Sequence, residues 1–334
     1  MHATRPRRAL TVLAGSGLLA AATACGPAAT KDDAGSYPSE SQEIVVPAAP
    51  GGGWDLTARS MQKAVEDGDI SSESIDVVNR DGGGGATALA DLTSDDEGDP
   101  YQLMIGGLVM IGALQLADSP LKITDATTIA TLTSEAEAFV VPADSPFTTI
   151  DDVVDAYRED PESVTFGGGS QGGSDQIVAA MLLQEAGLEA GDMKYIGYPG
   201  GGEATAGILS GDVEVGISGL SEFEGQIESG DMRLLALSTD DEVEVAGETA
   251  PTLTSEGYDI DFANWRAIFA PPGLSEDETE AITDWVDEIH ESPEWEQELK
   301  EQGWTDDYRT GDEAVQYIEE QQVETAKLLE DLGL

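Results

Sequence analysis

Short apolar runs alternate with stretches of helical periodicity from residue 43 to the end of the chain. The runs are rich in β-branched residues and predict strands at 43–46, 75–79, 102–105, 137–142, 163–166, 193–197, 213–217, 232–237 and 265–269, with another near Trp304. The periodic stretches predict helices over 55–66, 86–93, 149–158, 174–187, 202–210, 221–229, 275–291 and 311–331. Segment 174–187 shows the period well: Ile177, Val178, Met181, Leu182 and Ala186 fall at helical spacing, and Ser174 or Asp175 can cap its start. Such alternation predicts an α/β fold with mostly parallel sheets, and the length predicts two domains of that kind.

The first residues break this pattern. Arg5, Arg7 and Arg8 precede an apolar, small-residue run from Ala9 to Ala22, which ends in Ala22-Thr23-Ala24-Cys25-Gly26. A basic n-region and a short h-region make residues 1–24 an export signal, too short to span a bilayer comfortably. Small residues ahead of a lone Cys resemble a bacterial lipobox, although Ala22 stands where Leu is usual. Lipidation of Cys25 is the expectation, with residues 25–42 as a flexible tether to the outer face of the cell membrane. A plain secretory peptide with an incidental Cys is the other reading. No later segment reaches about 18 unbroken apolar residues.

Charge then narrows the function. The chain has 15 Lys and Arg against 67 Asp and Glu, a net charge of −52 over 334 residues. With 40% hydrophobic residues it can still bury a core. A field of that sign repels nucleic acid and anionic lipid. The acids are spread along the sequence, as on proteins of salty habitats, where a Debye length of about 3 Å at molar salt screens self-repulsion. One Cys excludes an internal disulfide or a Cys-cluster metal site, and two His leave little for a His-based one. No metal and no cofactor are expected.

Candidate chemistry gathers in glycine-rich turns between a strand and a helix: Pro50 to Asp55, Gly82 to Gly85, Gly167 to Ser174, and Tyr198 to Glu203. Glycine lets a ligand approach backbone N–H groups, and a helix N-terminus adds unpaired donors. Each turn is a tight connection or an anion cradle; four at equivalent positions favour a shared cleft at the carboxyl ends of the strands. The candidate ligand residues are Gly51, Gly52, Gly53, Trp54, Asp55, Thr57, Gly169, Ser170, Gly172, Ser174, Tyr198, Gly200 and Gly201. Asp55 could equally cap its helix, and Trp54 could equally pack beneath it. Arg59, Arg80 and Lys194 lie near the turns, as ligand cations or as surface ion pairs. Gly168 to Gly172 fits G-x-S-x-G, but the one His beyond the export signal, His290, sits at the end of an amphipathic helix. Gly167-x-Gly169-x-x-Gly172 fits the dinucleotide fingerprint without its acid at the end of a second strand. No catalytic residue is expected, and a serine hydrolase built on Ser170 is the alternative.

The string Val45 to Arg59 (VVPAAPGGGWDLTAR) resembles the first signature of the tripartite tricarboxylate transporter receptors, the Bug family. Asn79-Arg80 with Gly82 to Gly85, the Gly167–Ser174 loop, Tyr198-Pro199-Gly200-Gly201, Leu235 to Ser238, Pro251 to Leu253 and Phe269 to Gly273 follow in the family's order. The resemblance covers about 43 to 305, and Trp54 is similar to the tricarboxylate-type members. It implies a type II periplasmic-binding-protein fold. Domain 1 would be 43–137 with 252–334 and domain 2 would be 138–251, joined by two crossovers around a ligand cleft. It further implies a monomeric, extracytoplasmic receptor that binds a small di- or tricarboxylate, citrate-like, through backbone N–H groups and waters. The ligand would pass to a membrane permease of one small and one large subunit, or, as a further alternative, the receptor would serve a sensor. Ala48 in place of a frequent aromatic, and Asp175-Gln176 where many members have a His nearby, leave the ligand's identity open.

Overall fold

A computed structural model describes residues 37–334 apart from 170, 199, 200, 241 and 242, so the export signal, Cys25, Ser170 and Gly200 lie outside the described residues. Residues 37–334 form one compact unit. Three strand–helix units open it: β1 (Gln42–Val46) and α1 (Gly53–Asp67), β2 (Ile75–Asn79) and α2 (Ala86–Ser94), β3 (Gln102–Gly107) and α3 (Leu108–Leu116). A long strand, β4 (Thr127–Pro142), and α4 (Ile150–Glu159) lead to a second series. This consists of β5 (Thr165–Gly168), α5 (Ser174–Glu185), β6 (Lys194–Gly197), α6 (Gly201–Ser210), β7 (Val215–Gly219), α7 (Leu220–Ser229) and β8 (Met232–Leu237). After a two-strand ribbon, β9 (Glu244–Val245) and β10 (Glu248–Thr249), come β11 (Ala263–Ala270), α8 (Glu276–His290), α9 (Pro293–Gln302), β12 (Thr305–Thr310) and α10 (Gly311–Leu332).

The main sheet runs β2-β1-β3-β11-β4-β7-β5-β6, with β8 and β12 also on β4. Both wings are parallel, β2-β1-β3 on one side and β7-β5-β6 on the other, as βαβ crossovers require. The strands between them, β11 and β4, run antiparallel to their neighbours. The pairing on β4 changes hands at Glu137. Thr127 to Ala136 pair with β11, and Glu137 to Pro142 pair with β7 and β8. The chain passes this point a second time at Ser238. The Ser238 N–H donates to Glu137 O (2.9 Å), and its hydroxyl bonds both the Glu137 N–H (2.8 Å) and Phe262 O (2.6 Å).

The structure departs from the sequence expectation at β4, at α3, which was not predicted, and at the cap of α5. β4 begins ten residues before the predicted 137, because Thr127 to Ala136 mix polar and small residues that only the two-sided pairing of a central strand explains. α3 (LVMIGALQL) carries no polar stripe; it is apolar all round and buried, which hides its period. α5 is likewise buried on nearly every side, and Gly173 is its N-cap where Ser174 or Asp175 was expected. Glycine caps recur wherever a helix starts at the centre of the molecule: Gly52 for α1, Gly107 for α3, Gly173 for α5 and Gly219 for α7, none with a side-chain cap. Three helices that start elsewhere use hydroxyl caps, Thr149 for α4, Ser275 for α8 and Ser292 for α9. The central helix starts thus lack a capping side chain at the N-cap itself, and carboxylates from elsewhere in the chain, Glu222 for α1 and Glu135 for α7, accept from their first turns.

Candidate ligand-binding site

The glycine-capped helices α1, α3, α5 and α7 converge on one cavity of about 80 Å3 between the two wings. Its wall includes Gly52, Gly53 and Trp54 from the first turn, Gly169 and Asp175 from the second, Tyr198 from the third, and Val109, Ser218, Glu222, Asn264 and Arg266. It lies at the carboxyl ends of the parallel strands, where an open α/β sheet places its ligand. Three of the four glycine turns therefore meet here; the Gly82 to Gly85 turn is represented only by its neighbour Asp81.

The sequence candidates divide into two groups. Gly52, Gly53, Trp54, Gly169 and Tyr198 border the cavity. Gly201 opens α6, the helix that contributes Ala204 to the wall. Gly51, Asp55, Thr57, Gly172 and Ser174 lie behind it and shape it. Gly51 takes φ +88° and donates its N–H to Asp55 Oδ2 (2.9 Å), which a side chain there would strain. Asp55, 2% exposed, also accepts from Arg59 Nε (2.9 Å) and Asn79 Nδ2 (2.9 Å). Burial opposes its ionisation, but Arg59, the Gly51 N–H and Asn79 outweigh it and hold the carboxyl below the ordinary range. The Thr57 hydroxyl donates to Gly53 O within the helix (2.8 Å), and that of Ser174 to Asp175 Oδ1 (2.9 Å). The Gly172 N–H donates to Gln176 Oε1 (2.8 Å).

The three nearby cations are all engaged outside the cavity. Arg59 pairs with Asp55, Arg80 with Glu43 (2.6 Å), and Lys194 donates to Glu162 O (2.9 Å). The cation on the cavity wall is Arg266 of β11. It is 1% exposed and ion-paired to Glu135 of β4, itself 2% exposed. Its guanidinium also lies 5.1 Å from the Trp304 ring centroid. His290 is no partner for a nucleophile in this geometry: it stacks on Tyr308 (centroids 3.7 Å apart) and bonds Asp306 at 3.1 Å.

Around Arg266 stand four carboxylates, Glu135, Glu137, Asp175 and Glu222. Glu135 also accepts the Ser221 N–H (2.6 Å), Asp175 the Gly169 N–H, and Glu222 the Gly53 N–H (2.9 Å). The Glu137 oxygens have no partner among the described residues. Burial, reinforced by Asp175, pushes Glu137 well above the carboxylate range, and burial likewise raises Asp175. Glu222 is pushed from 4.5 up to about 8, by burial first and then by Asp175 and Glu135; Arg266 and the Gly53 N–H pull the other way. Three backbone N–H groups of the turns and helix starts thus already hold the chain's own carboxylates. No grouping suited to a metal ion occurs among the described residues.

These raised acids set the sign of a pH effect. The folded site favours neutral Glu222, so its contribution to stability is whole below pH 4.5 and is lost as pH rises to about 8. Glu222→Gln is neutral throughout. Its melting temperature at high salt is expected to fall less than that of the natural protein over this window, with the remaining slope due to Asp175 and Glu137. Parallel melting profiles would show that Glu222 ionises freely.

Sequence reasoning missed Glu135, Glu137, Glu222, Asn264 and Arg266. A weak signal existed: Glu135 and Glu137 in EAEAFVV and Arg266 in NWRAIFA are charges inside strand-like runs, and a charge placed there must find a partner or a ligand.

Known structures share this architecture. The periplasmic binding protein BugD aligns with a TM-score of 0.77 at 20% identity, over 89% of this chain and 99% of that one. MatC of Rhodopseudomonas palustris, solved with bound malate, aligns with a TM-score of 0.76 at 18% identity, over 88% and 100%. The fold is therefore that of the periplasmic binding proteins. The sequence profile described as tripartite tricarboxylate transporter family receptor matches residues 70–334, and the chain belongs to that family. A UPF0065 protein of Pseudomonas sp. strain P51 is 26% identical over 294 residues, 86% of this chain and 84% of that protein. Among the described residues no helix is long and apolar enough to cross a membrane.

Proposed function

We propose that the protein is an extracytoplasmic solute receptor that captures a small carboxylate and delivers it to a membrane permease of one small and one large subunit. The observation that carries this reading is the cavity itself, where glycine-capped helix starts and the Arg266 guanidinium meet at the strand ends. The malate-bound neighbour supports a carboxylate as the ligand. On this reading 43–137 with 252–334 and 138–251 act as two lobes, which close about the double passage at Glu137 and Ser238. Cys25 carries the lipid that keeps the monomeric receptor at the outer face of the membrane. Within the carboxylates, the Trp54 resemblance points to citrate-like di- or tricarboxylates, while the acids of the cavity wall limit how much negative charge a ligand can bring.

Calorimetric titration with a panel of small carboxylates, at high salt, tests the reading. Saturable heat from one or more is expected; silence across the panel would sink it. A net charge of −52 cannot steer an anion inward, so capture depends on local donors. Affinity is accordingly expected to hold or rise with added salt, and a steep fall would count against backbone capture.

A further inference from the structure

We propose that Glu222 meets the ligand as a protonated acid, donating its O–H to a carboxylate oxygen of the ligand, so that the receptor captures the anion together with a proton. The inference rests on the receptor reading and adds to it a specificity-determining residue. Glu222 borders the cavity and is half-buried there. Its Oε1 accepts the Gly53 N–H (2.9 Å) at the start of α1, and this is the one hydrogen bond it makes among the described residues. In the acid form Oε1 is therefore the carbonyl oxygen, the better acceptor of the two, and Oε2 carries the hydrogen. Oε2 is left with a donor to offer a ligand.

The other acids nearby are committed or misplaced for this role. Asp175 accepts on both oxygens, from the Gly169 N–H and the Ser174 hydroxyl. Glu135 is bound to Arg266 and to the Ser221 N–H. Glu137 is fully buried behind the wall, and Asp81 is exposed to solvent. Charge balance asks for the protonated form of Glu222. It faces Glu135 and Glu137 on β4 and Asp175 on α5, with Arg266 on β11 already paired to Glu135. On α7 itself, Glu224 and Glu228 follow it. Of the other elements packed on α7, β7 carries no charge and Arg233 of β8 is turned to the carbonyls of Ala143 and Phe147. Glu203 of α6 and Glu244 of β9 are exposed. An ionised Glu222 would repel a ligand carboxylate in this setting. A protonated one holds it through a charge-assisted O–H···O− bond. Burial already pushes Glu222 up to about 8, and a bound anion raises it further.

Below about pH 7 the free side chain already holds its proton; above about 8 each capture must draw one from solvent, so affinity falls. The test is calorimetric titration of the full exported chain at high salt with malate, citrate and the straight-chain dicarboxylates from malonate to adipate. It runs from about pH 7 to about 9.5, where these ligands are ionised throughout. Affinity for the tightest ligand is expected to fall about thirtyfold over this range. Near the upper end, buffers of different ionisation enthalpy should report close to one proton taken up. Glu222→Gln keeps an acceptor for the Gly53 N–H and a donor for the ligand. It should weaken binding at about pH 7 by less than about tenfold and flatten the fall to about threefold or less. Glu222→Ala keeps neither and should weaken binding about a hundredfold. Melting curves show that each variant is folded; if Glu222→Ala is not, the Gln variant and the proton count decide. Affinity that is flat with pH in the natural protein, or a Gln variant that still loses about tenfold or more over the range, overturns this inference and leaves the receptor reading standing. Silence from every ligand overturns the two together.

Discussion

Replacing Arg266 with Met is expected to destabilise the protein by about 3–5 kcal/mol, the usual cost of orphaning one member of a buried ion pair. Arg266 is 1% exposed and, among the described residues, is the cation that faces Glu135 and Glu222. Without it Glu135 keeps only the Ser221 N–H, and the folded state must either hold an uncompensated charge or take up a proton. The double variant Arg266→Met with Glu135→Gln removes both charges and should recover most of the loss, because a neutral pair needs no counter-ion. Urea unfolding at fixed high salt measures both. A single-variant cost below about 1 kcal/mol, the range of exposed pairs, would mean that the pair is hydrated and does not organise the site. The same variant should abolish carboxylate binding, since it removes the donor on the wall.

Gly112→Ala is expected to separate binding from folding. A Cβ at Gly112, in the middle of α3, would stand 1.7 Å from the Gly172 carbonyl oxygen, a backbone atom of the second glycine turn. Helix propensity alone would make the change favourable by up to about 1 kcal/mol, so the two effects have opposite signs. A clash this deep with backbone cannot be relieved by rotating a side chain, and we expect α3 and the turn to move apart. On the two-lobe reading, that holds the cleft open. Ligand affinity should fall about a hundredfold or more while the melting temperature changes little. Small-angle scattering should show a larger radius of gyration. Gly225→Ala, in α7 with nothing within 4 Å of the added carbon, serves as the neutral control. Undiminished binding by Gly112→Ala would show that the Gly112–Gly172 approach is not needed for capture.

The fold was legible wherever burial is one-sided. α8 shows this: Ile282, Trp285, Val286 and Ile289 are buried while Asp284 and Glu288 between them are exposed, and the period survives in the letters. It was illegible where an element is covered all round, as in α3, or where pairing on both edges replaces hydrophobic alternation, as in the first half of β4. The glycine turns pointed to the cavity because close backbone approach demands glycine in a recognisable place, and three of them border it. Arg266 and its four acids did not announce themselves. They come from β4, α5, α7 and β11, between 131 and 44 residues apart along the chain for the Arg266–Glu135 and Arg266–Glu222 pairs, and only the sheet order brings them together. Asp55 and Thr57 illustrate the converse: residues of the right type in the right turn, whose polar atoms are spent on holding the turn itself.

The sheet order also fixes a sequence of events in time. β3 finds its outer neighbour in β11, and the first half of β4 finds β11 and β12, all from the last quarter of the chain. The strands β5, β6 and β7 pair only with one another and with β4, all of them made before residue 238. During synthesis β3 therefore keeps an open edge until Ala263 to Ala270 have been made and can seal it. The first strands made are among the last to be finished.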